Sequence, residues 1–198
     1  MQKIVLASGN RGKLAEIQDL LKPLKLDVAP QSEFGVSEAD ETGVTFVENA
    51  LIKARNAAMH TGRPAIADDS GLAVDALNGA PGVRSARYAG ADANDLANNR
   101  KLLQALAGVP DEQRGAQFHC SVVYLRHADD PVPVICHGVW PGTILRNLRG
   151  EAGFGYDPLF WVPDQNASAA ELSKDLKNRI SHRGQAMALL IKQLRKLL

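Results

Sequence analysis

Apolar residues follow two different periods in the N-terminal part of the chain. Residues 4–7 form a short apolar run, and leucine and isoleucine then recur at helical spacing from Leu14 to Leu24. The small and polar residues Ser8-Gly9-Asn10 separate the two patterns. The sequence therefore predicts a strand, a tight turn and a helix, in that order.

A capping-box pattern marks the start of a second helix. In Thr45-Phe46-Val47-Glu48, the threonine hydroxyl and the glutamate carboxylate have the spacing at which they satisfy each other's free backbone amides. We expect a helix over 46–60. Asn49, Lys53 and Asn56 are four and three residues apart, so the helix places them on one polar face.

The segment Asp68-Asp69-Ser70-Gly71 follows a short apolar strand predicted at 65–67. Asp, Ser and Gly are typical turn residues, so we expect a loop here that presents two carboxylates at the edge of a sheet. A second short strand is predicted at 72–77.

The rest of the chain predicts more strands and two more helices. Strands are expected at 118–125, 132–136 and 138–145, helices are expected at 96–106 and 186–197, and a further apolar run lies at 159–162. The central strands follow one another with only short turns. This favours an α/β protein with a mixed central β-sheet and flanking helices over a fully parallel sheet.

Composition excludes several classes of protein. Of 198 residues, 45% are hydrophobic and 23% are charged, as in globular rather than fibrous or disordered proteins. The formal net charge of +1 argues against a nucleic acid or a membrane surface as partner, and no apolar stretch is long enough to span a bilayer. The two cysteines, Cys120 and Cys136, form neither a zinc nor a secretory pattern. We expect one domain over residues 1–198, in the cytoplasm.

The turn between the first strand and the first helix has the features of a phosphate site. Its residues, Ser8-Gly9-Asn10-Arg11-Gly12-Lys13, are small enough for backbone amides to approach an anion, and the helix dipole and Lys13 add positive potential. The glycine spacing differs from that of a P-loop. An ordinary turn with a solvated lysine explains the same residues.

Two acidic segments are candidates for metal or proton chemistry. Adjacent carboxylates at Asp68 and Asp69 suit a divalent cation or a shared proton, although a structural turn is the alternative. The cluster of Glu38, Asp40 and Glu41 is, by itself, typical of a solvated loop.

An aromatic residue and a basic pair complete the candidates. Phe154 lies between two glycines, where it packs poorly in a core but can stack on a flat ligand. His182-Arg183 follows Ser181 and is explained either as a helix start or as a donor pair. Phosphate turn, lysines, carboxylates, aromatic ring and arginine together indicate a nucleotide.

Six ordered segments resemble those of the inosine/xanthosine triphosphate pyrophosphatase family, and the resemblance extends along essentially the whole chain. The segments are Ser8-Gly9-Asn10-x-x-Lys13, Thr45-Phe46-Val47-Glu48-Asn49-Ala50-x-x-Lys53-Ala54, Ala67-Asp68-Asp69-Ser70-Gly71-Leu72, Gly79-Ala80-Pro81-Gly82, Gly153-Phe154-Gly155-Tyr156-Asp157-Pro158 and Ser181-His182-Arg183.

The resemblance implies a fold, a reaction and a cofactor. It implies a homodimer whose elongated sheet and helices form two lobes around a nucleotide cleft. The expected reaction is hydrolysis of inosine, deoxyinosine and xanthosine triphosphates to the monophosphate and pyrophosphate, which removes abnormal purine nucleotides. Mg²⁺ is the expected cofactor.

The resemblance also implies roles for individual residues. Asp69 is the expected catalytic base and also a metal ligand. The expected substrate-binding residues are Ser8, Gly9, Asn10, Arg11, Gly12, Lys13, Lys53, Ser70, Phe154, Gly155, Tyr156, Asp157, Lys177, His182 and Arg183. The family often has Glu at the place of Asp40, and Glu41 follows it here, so either residue is a candidate for the second metal ligand.

Three alternatives differ from this reading. A related pyrophosphatase of the septum-inhibitor type would act on modified pyrimidines or on thymidine and uridine triphosphates, and the Phe154-Gly155-Tyr156-Asp157 and Ser181-His182-Arg183 segments weigh against it. A nucleotide sensor has no use for the water-activating base that Asp69 supplies. A nucleic-acid-binding module is disfavoured by the near-neutral charge.

Overall fold

The computed structural model describes residues 3–197. Its strands are β1 (Ile4–Leu6), β2 (Val28–Pro30), β3 (Ala65–Val74), β4 (Gly115–Leu125), β5 (Val134–Ile144), β6 (Phe160–Val162) and β7 (Ala167–Ser168). Its α-helices are α1 (Arg11–Leu21), α2 (Phe46–Thr61), α3 (Asp95–Ala105), α4 (Lys174–Ile180) and α5 (His182–Leu197).

The strands form one seven-stranded sheet in the order β2-β1-β3-β4-β5-β6-β7. β1 is parallel to both β2 and β3, whereas β6 is antiparallel to both β5 and β7. The sheet is therefore mixed, and the prediction of an α/β fold with a mixed sheet and flanking helices is confirmed.

Two boundaries within the sheet were predicted wrongly. β3 is one continuous strand, so Asp68-Asp69-Ser70-Gly71 lies inside it and is not a loop. The local turn propensity of these residues is outweighed because they continue a strand that pairs with β1 at Ala65 and Ile66 and is hydrogen-bonded to β4 in the sheet. β5 is likewise one strand over Val134–Ile144 where two were predicted.

The two N-terminal helices begin as the sequence predicts. Asn10 caps α1, because its side chain accepts a hydrogen bond from the amide of Lys13. Thr45 and Glu48 form the complete capping box at the start of α2. These caps fix the residues at which both helices begin.

The chain forms two compact units. The first consists of the chain up to Asp69, Cys120–Gly138 and the chain from His182 onward; the second consists of Ser70–His119 and Val139–Ser181. The prediction of a single domain over residues 1–198 stays a prediction. Over the part of the chain that the structure describes, no helix is both long and apolar enough to cross a membrane.

Each unit has its own apolar core. In the first unit, one buried cluster joins α1 and α5, and a second packs the alanines of α2 against β1. In the second unit, the ring of Phe160 lies 4.6 Å from that of Phe118 and 5.2 Å from that of Trp140. The rings are tilted relative to each other, which is a favourable aromatic arrangement.

Candidate functional site

The Asp69 carboxylate is held on both of its oxygens by side chains of α2. Its Oδ2 accepts a hydrogen bond of 3.2 Å from Nδ2 of Asn49, and its Oδ1 accepts one of 3.2 Å from Nζ of Lys53. Burial raises the pKa of Asp69 above its ordinary value, against the opposing charges of Lys53 and Lys13. The carboxylate is therefore both fixed in place and more basic than usual.

Lys53 joins Asp69 to the acidic segment before α2. Its ammonium lies 2.8 Å from Oε1 of Glu41 and 3.2 Å from Oδ1 of Asp69. Burial would lower the pKa of Lys53, but the nearby carboxylates outweigh burial and raise it. Asp40, the other candidate from this segment, is exposed.

Asn49 provides a second link to the same segment. While its Nδ2 donates to Asp69, its Oδ1 accepts a hydrogen bond of 2.8 Å from the amide of Gly43. A Cβ at Gly43 would stand 2.6 Å from the Cβ of Glu48, so only glycine allows this close approach to α2. Asn49 thereby ties the chain beside Glu41 to the strand that carries Asp69.

Asp68 is the neighbouring carboxylate, and its surroundings differ. Its Oδ2 lies 3.3 Å from Nε and 3.4 Å from Nη2 of Arg183, and 3.5 Å from Nζ of Lys13. Burial opposes ionisation, but Lys13 and Arg183 outweigh it and hold the pKa of Asp68 well below its usual range. Asp68 is thus an anion at neutral pH, lying between two cations.

Cys120 lies beside Asp68. Its Sγ is 4.0 Å from Oδ2 of Asp68, and burial together with that carboxylate raises the pKa of the thiol to about 12. The thiol therefore stays protonated at neutral pH and is not a nucleophile.

Arg183 is 2% exposed and is paired with two carboxylates. Its Nε and Nη2 donate to Asp68, and its Nη1 donates to Oε2 of Glu16 on α1. The preceding residue, His182, is also buried, and a Cβ at Gly138 would collide with its carbonyl oxygen. The start of α5 therefore packs directly on the β5 backbone, which fixes the position of Arg183.

The turn from Ser8 to Lys13 forms the predicted strand-to-helix connection. Oδ1 of Asn10 accepts a hydrogen bond of 3.0 Å from the amide of Lys13, and the amide of Asn10 donates to Oγ of Ser8 over 3.3 Å. The side chain of Glu38 lies against Gly9, where any Cβ would collide with it. The side chain of Arg11 lies outside the described residues, so its predicted phosphate contact does too.

The loop that carries Phe154 is in the second unit, and its side chains bond to one another. Oδ2 of Asp157 accepts hydrogen bonds from the amide of Phe154 at 2.9 Å and from Nζ of Lys177 at 2.6 Å. The same ammonium lies 5.0 Å from the centre of the Phe154 ring. Phe154 is half-buried, and Lys177 is buried beneath it.

Three further hydrogen bonds hold this loop to the rest of its unit. The backbone of Gly155 is bonded by two side chains of α3, through its amide to Asp95 and through its carbonyl to Asn99. The hydroxyl of Tyr156 donates to the carbonyl of Ser85 over 2.8 Å. Burial raises the pKa of Tyr156, so its hydroxyl remains a donor.

The structure groups the candidate residues by unit. Lys13, Lys53, Asp69, His182 and Arg183 belong to the first unit, together with Ser8–Gly12, Asp40 and Glu41. The second unit contains Ser70, Lys177 and the loop 154–157.

Several residues around these candidates were not predicted from the sequence. They are Glu16, Asn49, Asp95 and Asn99, each bonded to a candidate residue. Only Asn49 had a signal in the sequence, because its helical spacing places it on the face that carries Lys53.

The donor chemistry beside Asp69 fits a hard divalent cation. Among residues 3–197, no group of three or more Asp, Glu, His or Cys side chains is arranged to hold a metal ion. Glu41 and Asp69 nevertheless lie on either side of the Lys53 ammonium. Mg²⁺ commonly takes only one or two carboxylates and completes its shell with water and phosphate oxygens, so two carboxylates are sufficient.

Fold and site together define an α/β protein whose buried, cation-rich carboxylate cluster lies next to a helix N-terminus. Comparison with known proteins names the family. The model of the Ham1 family matches residues 4–193, and the chain belongs to that family.

Individual relatives are similar over nearly their full length. A dITP/XTP pyrophosphatase of Yersinia pestis is 62% identical over 195 residues, which cover 98% of this chain and 99% of the relative. The corresponding protein of Shigella flexneri is 60% identical over the same shares. A solved HAM1 protein from Coxiella burnetii has a TM-score of 0.93 and 55% identity, covering 99% of this chain and all of that one.

Proposed function

We propose that this protein hydrolyses inosine, deoxyinosine and xanthosine triphosphates to the monophosphate and pyrophosphate, with Mg²⁺ as cofactor. It is a hydrolase of the nucleoside triphosphate pyrophosphatase class, as the names of its relatives indicate. The observation that carries the proposal is the fixed Asp69 carboxylate, whose pKa is raised by burial and whose neighbours are lysines. Removal of abnormal purine nucleotides from the precursor pool is the proposed biological role.

Asp69 is the proposed general base. It takes a proton from the attacking water, and the bond between the α and β phosphates breaks as pyrophosphate leaves. A base is most useful when its pKa lies nearer the working pH, and burial moves the pKa of Asp69 in that direction. Base catalysis of this kind typically accelerates a reaction about 10²- to 10⁴-fold.

Positive charge around Asp69 is proposed to hold the polyphosphate. Lys53 and Lys13 carry charge, and the turn Ser8–Lys13 offers backbone amides at the start of α1. Ser70 follows Asp69 in β3 and is proposed to contact the substrate. These groups favour the transition state because negative charge spreads over the phosphoryl oxygens.

Asp69 and Glu41 are the residues that would hold Mg²⁺. Asp40 is the weaker candidate, because Glu41 and not Asp40 shares the Lys53 ammonium with Asp69. When bound, the cation would neutralise polyphosphate charge. Lys53 holds both carboxylates in place by its ion pairs.

The purine is proposed to be recognised by its ring and by its six-position oxygen. Phe154 provides an aromatic face, and Gly155, Tyr156, Asp157, Lys177 and His182 are the other proposed contacts. Arg183 is a donor and has no acceptor, so it favours the keto oxygen of hypoxanthine or xanthine over the amino group of adenine. Guanine shares this keto oxygen, so Arg183 does not discriminate against guanosine triphosphate.

We also propose that the protein is a cytoplasmic homodimer with no nucleic-acid or membrane partner. Sedimentation equilibrium of the purified protein tests the dimer. A mass near 21.3 kDa at micromolar concentration would contradict it.

The function is tested with four triphosphates at saturating magnesium. Inosine, xanthosine, guanosine and adenosine triphosphates are incubated separately, and kcat/KM is determined for each. We expect the inosine and xanthosine substrates to exceed the adenosine substrate by at least about tenfold, on the basis of one mispaired buried donor. A preference for thymidine or uridine triphosphate in a parallel incubation would instead identify the septum-inhibitor type. Tight binding with no product would identify a sensor.

A further inference from the structure

We propose that Asp95 and Asn99 are positioning residues for base recognition. They hold the backbone of Gly155 and thereby fix the loop that presents Phe154. This inference rests on the proposed function, since it assigns Phe154 to the purine.

Both polar backbone groups of Gly155 are bonded to side chains of α3. Its amide donates to Oδ2 of Asp95 over 2.7 Å, and its carbonyl accepts from Nδ2 of Asn99 over 2.8 Å. Asp95 and Asn99 are one helical turn apart, so they lie on the same face of α3. Gly155 has a φ of +63°, a backbone conformation that glycine adopts without strain.

These two bonds fix the peptide planes that flank Gly155. Because a peptide is planar, a bond to the Gly155 amide orients the whole plane between Phe154 and Gly155. That plane sets ψ of Phe154. The bond to the Gly155 carbonyl fixes the next plane in the same way, so the Phe154 backbone is anchored on its C-terminal side.

The other contacts of the loop reach different groups, except that the Phe154 carbonyl also accepts a hydrogen bond of 3.3 Å from the amide of Asp157. Asp157 and Lys177 secure the Phe154 amide, which is on the N-terminal side of that residue. Tyr156 is secured at its ring hydroxyl by Ser85. Asp95 and Asn99 are therefore the side chains that hold the peptide planes on the C-terminal side of the Phe154 α-carbon.

Asn99 has the signature of a residue used for more than stability. It is 4% exposed, and its Oδ1 is buried without a hydrogen-bond partner among the residues that the structure describes. A buried acceptor in this state costs free energy that an apolar side chain would not. The presence of an asparagine at this buried position is explained if its Nδ2 is needed to hold the Gly155 carbonyl.

We call the two hydrogen bonds from Asp95 and Asn99 to Gly155 the clamp. Loss of the clamp is expected to lower the affinity for the base and to leave the affinity for the phosphates unchanged. A loop that visits several conformations binds with an apparent affinity reduced by the fraction that is competent. Losing one hydrogen bond to Gly155 corresponds to about a tenfold change in that fraction.

The test compares Asp95→Ala, Asp95→Asn and Asn99→Ala with a matched control, Asn94→Ala. Asn94 caps α3 through a bond to the Ala97 amide but does not bond Gly155. The control therefore weakens the start of α3 without touching the clamp. Asp95→Asn keeps an acceptor oxygen for the Gly155 amide and serves as the conservative rescue.

Two readouts separate positioning from general damage. The first is KM and kcat for inosine triphosphate, and the second is inhibition by inorganic tripolyphosphate, which has no base. We expect Asp95→Ala and Asn99→Ala to raise KM about tenfold and to leave the tripolyphosphate inhibition constant within about twofold of wild type. Asp95→Asn should remain within about threefold of the wild-type KM, and Asn94→Ala should leave KM unchanged.

Three results would overturn the clamp. They are an unchanged KM in both alanine variants, an equal rise of KM in Asn94→Ala, and a parallel loss of tripolyphosphate inhibition. Failure of the proposed function would look different, because the wild-type protein would then release no pyrophosphate. In that event calorimetric binding of inosine monophosphate to the same variants still decides the clamp, and absence of wild-type binding would overturn it as well.

Discussion

Two adjacent aspartates in β3 have pKa values shifted in opposite directions. Asp68 is paired with Arg183 and Lys13, which keep it charged, whereas burial prevails at Asp69 and raises its pKa. Neighbouring carboxylates whose environments separate their pKa values are typical of acid–base sites, with one group fixing charge and the other moving protons. This difference supports the proposed base role of Asp69 and is consistent with a counter-ion role for Asp68.

Arg183→Lys tests the proposed selectivity for inosine over adenosine triphosphate and leaves a positive charge opposite the buried Asp68. Lysine keeps the charge opposite Asp68 but lacks the planar fork that can serve two carboxylates and a third acceptor. We expect the ratio of kcat/KM for inosine over adenosine triphosphate to fall about tenfold. The control is Arg179→Lys, on an exposed residue of α4, which should leave the ratio unchanged. An unchanged ratio in Arg183→Lys would remove Arg183 from base selection.

The sequence predicts which residues are candidates for the site better than it predicts which residues they bond. Asp69, Lys53 and Arg183 could be singled out because their residue types suit phosphate and purine chemistry. The bond between Arg183 and Glu16 joins residues 167 positions apart, and no local pattern encodes it. The same holds for Asp95 and Gly155, which are 60 positions apart.

Helix α2 shows how a secondary-structure element positions side chains of the site. Its capping box fixes the first turn, and its helical period then brings Asn49 and Lys53 to the same carboxylate. The prediction of this helix and its polar face is confirmed because both depend on local spacing.

Thr45→Ala is expected to lower the free energy of unfolding by about 0.5 to 2 kcal/mol, as losing an N-cap hydroxyl usually does. Urea unfolding monitored by circular dichroism measures the loss. Thr61→Ala removes a hydroxyl that bonds the Ala57 carbonyl at the other end of α2 and should cost less. Equal losses of unfolding free energy in the two variants would contradict a specific stabilising role of the capping box.

Strand β3 shows where local reasoning fails. Asp68-Asp69-Ser70-Gly71 has turn composition, yet these residues continue the strand between β1 and β4. Strand propensity depends on neighbours that a single segment does not contain. The consequence for the site is that both carboxylates project from a rigid strand and not from a loop.

For the molecule as a whole, burial of Asp68 links stability to pH. A carboxylate with a lowered pKa contributes its full stabilisation above its ordinary pKa of about 3.9, and this contribution is lost progressively as pH falls from there through the lowered pKa of the folded state. Asp68→Asn removes the charge at every pH. The difference in unfolding free energy between wild type and Asp68→Asn should therefore be large at pH 7 and clearly smaller at pH 2.5.

Chemical denaturation at both pH values measures this difference. Asp92→Asn, at an exposed position, is the control and should follow the wild type at both. A difference for Asp68→Asn that does not change with pH would contradict the ion-pair account of Asp68.

The mixed sheet could be predicted from the sequence because helices lie at both ends of the chain and the central strands follow one another with only short turns. The grouping of residues into two compact units was beyond local patterns, since each unit joins segments that are distant in sequence.

The most direct test of the account is product analysis of inosine triphosphate hydrolysis by wild type and Asp69→Asn at saturating magnesium. The wild type should yield inosine monophosphate and pyrophosphate in equal amounts. Asp69→Asn should bind inosine triphosphate with similar affinity and turn over at least about 100-fold more slowly. Diphosphate and orthophosphate from the wild type, or near-normal turnover in Asp69→Asn, would contradict the account.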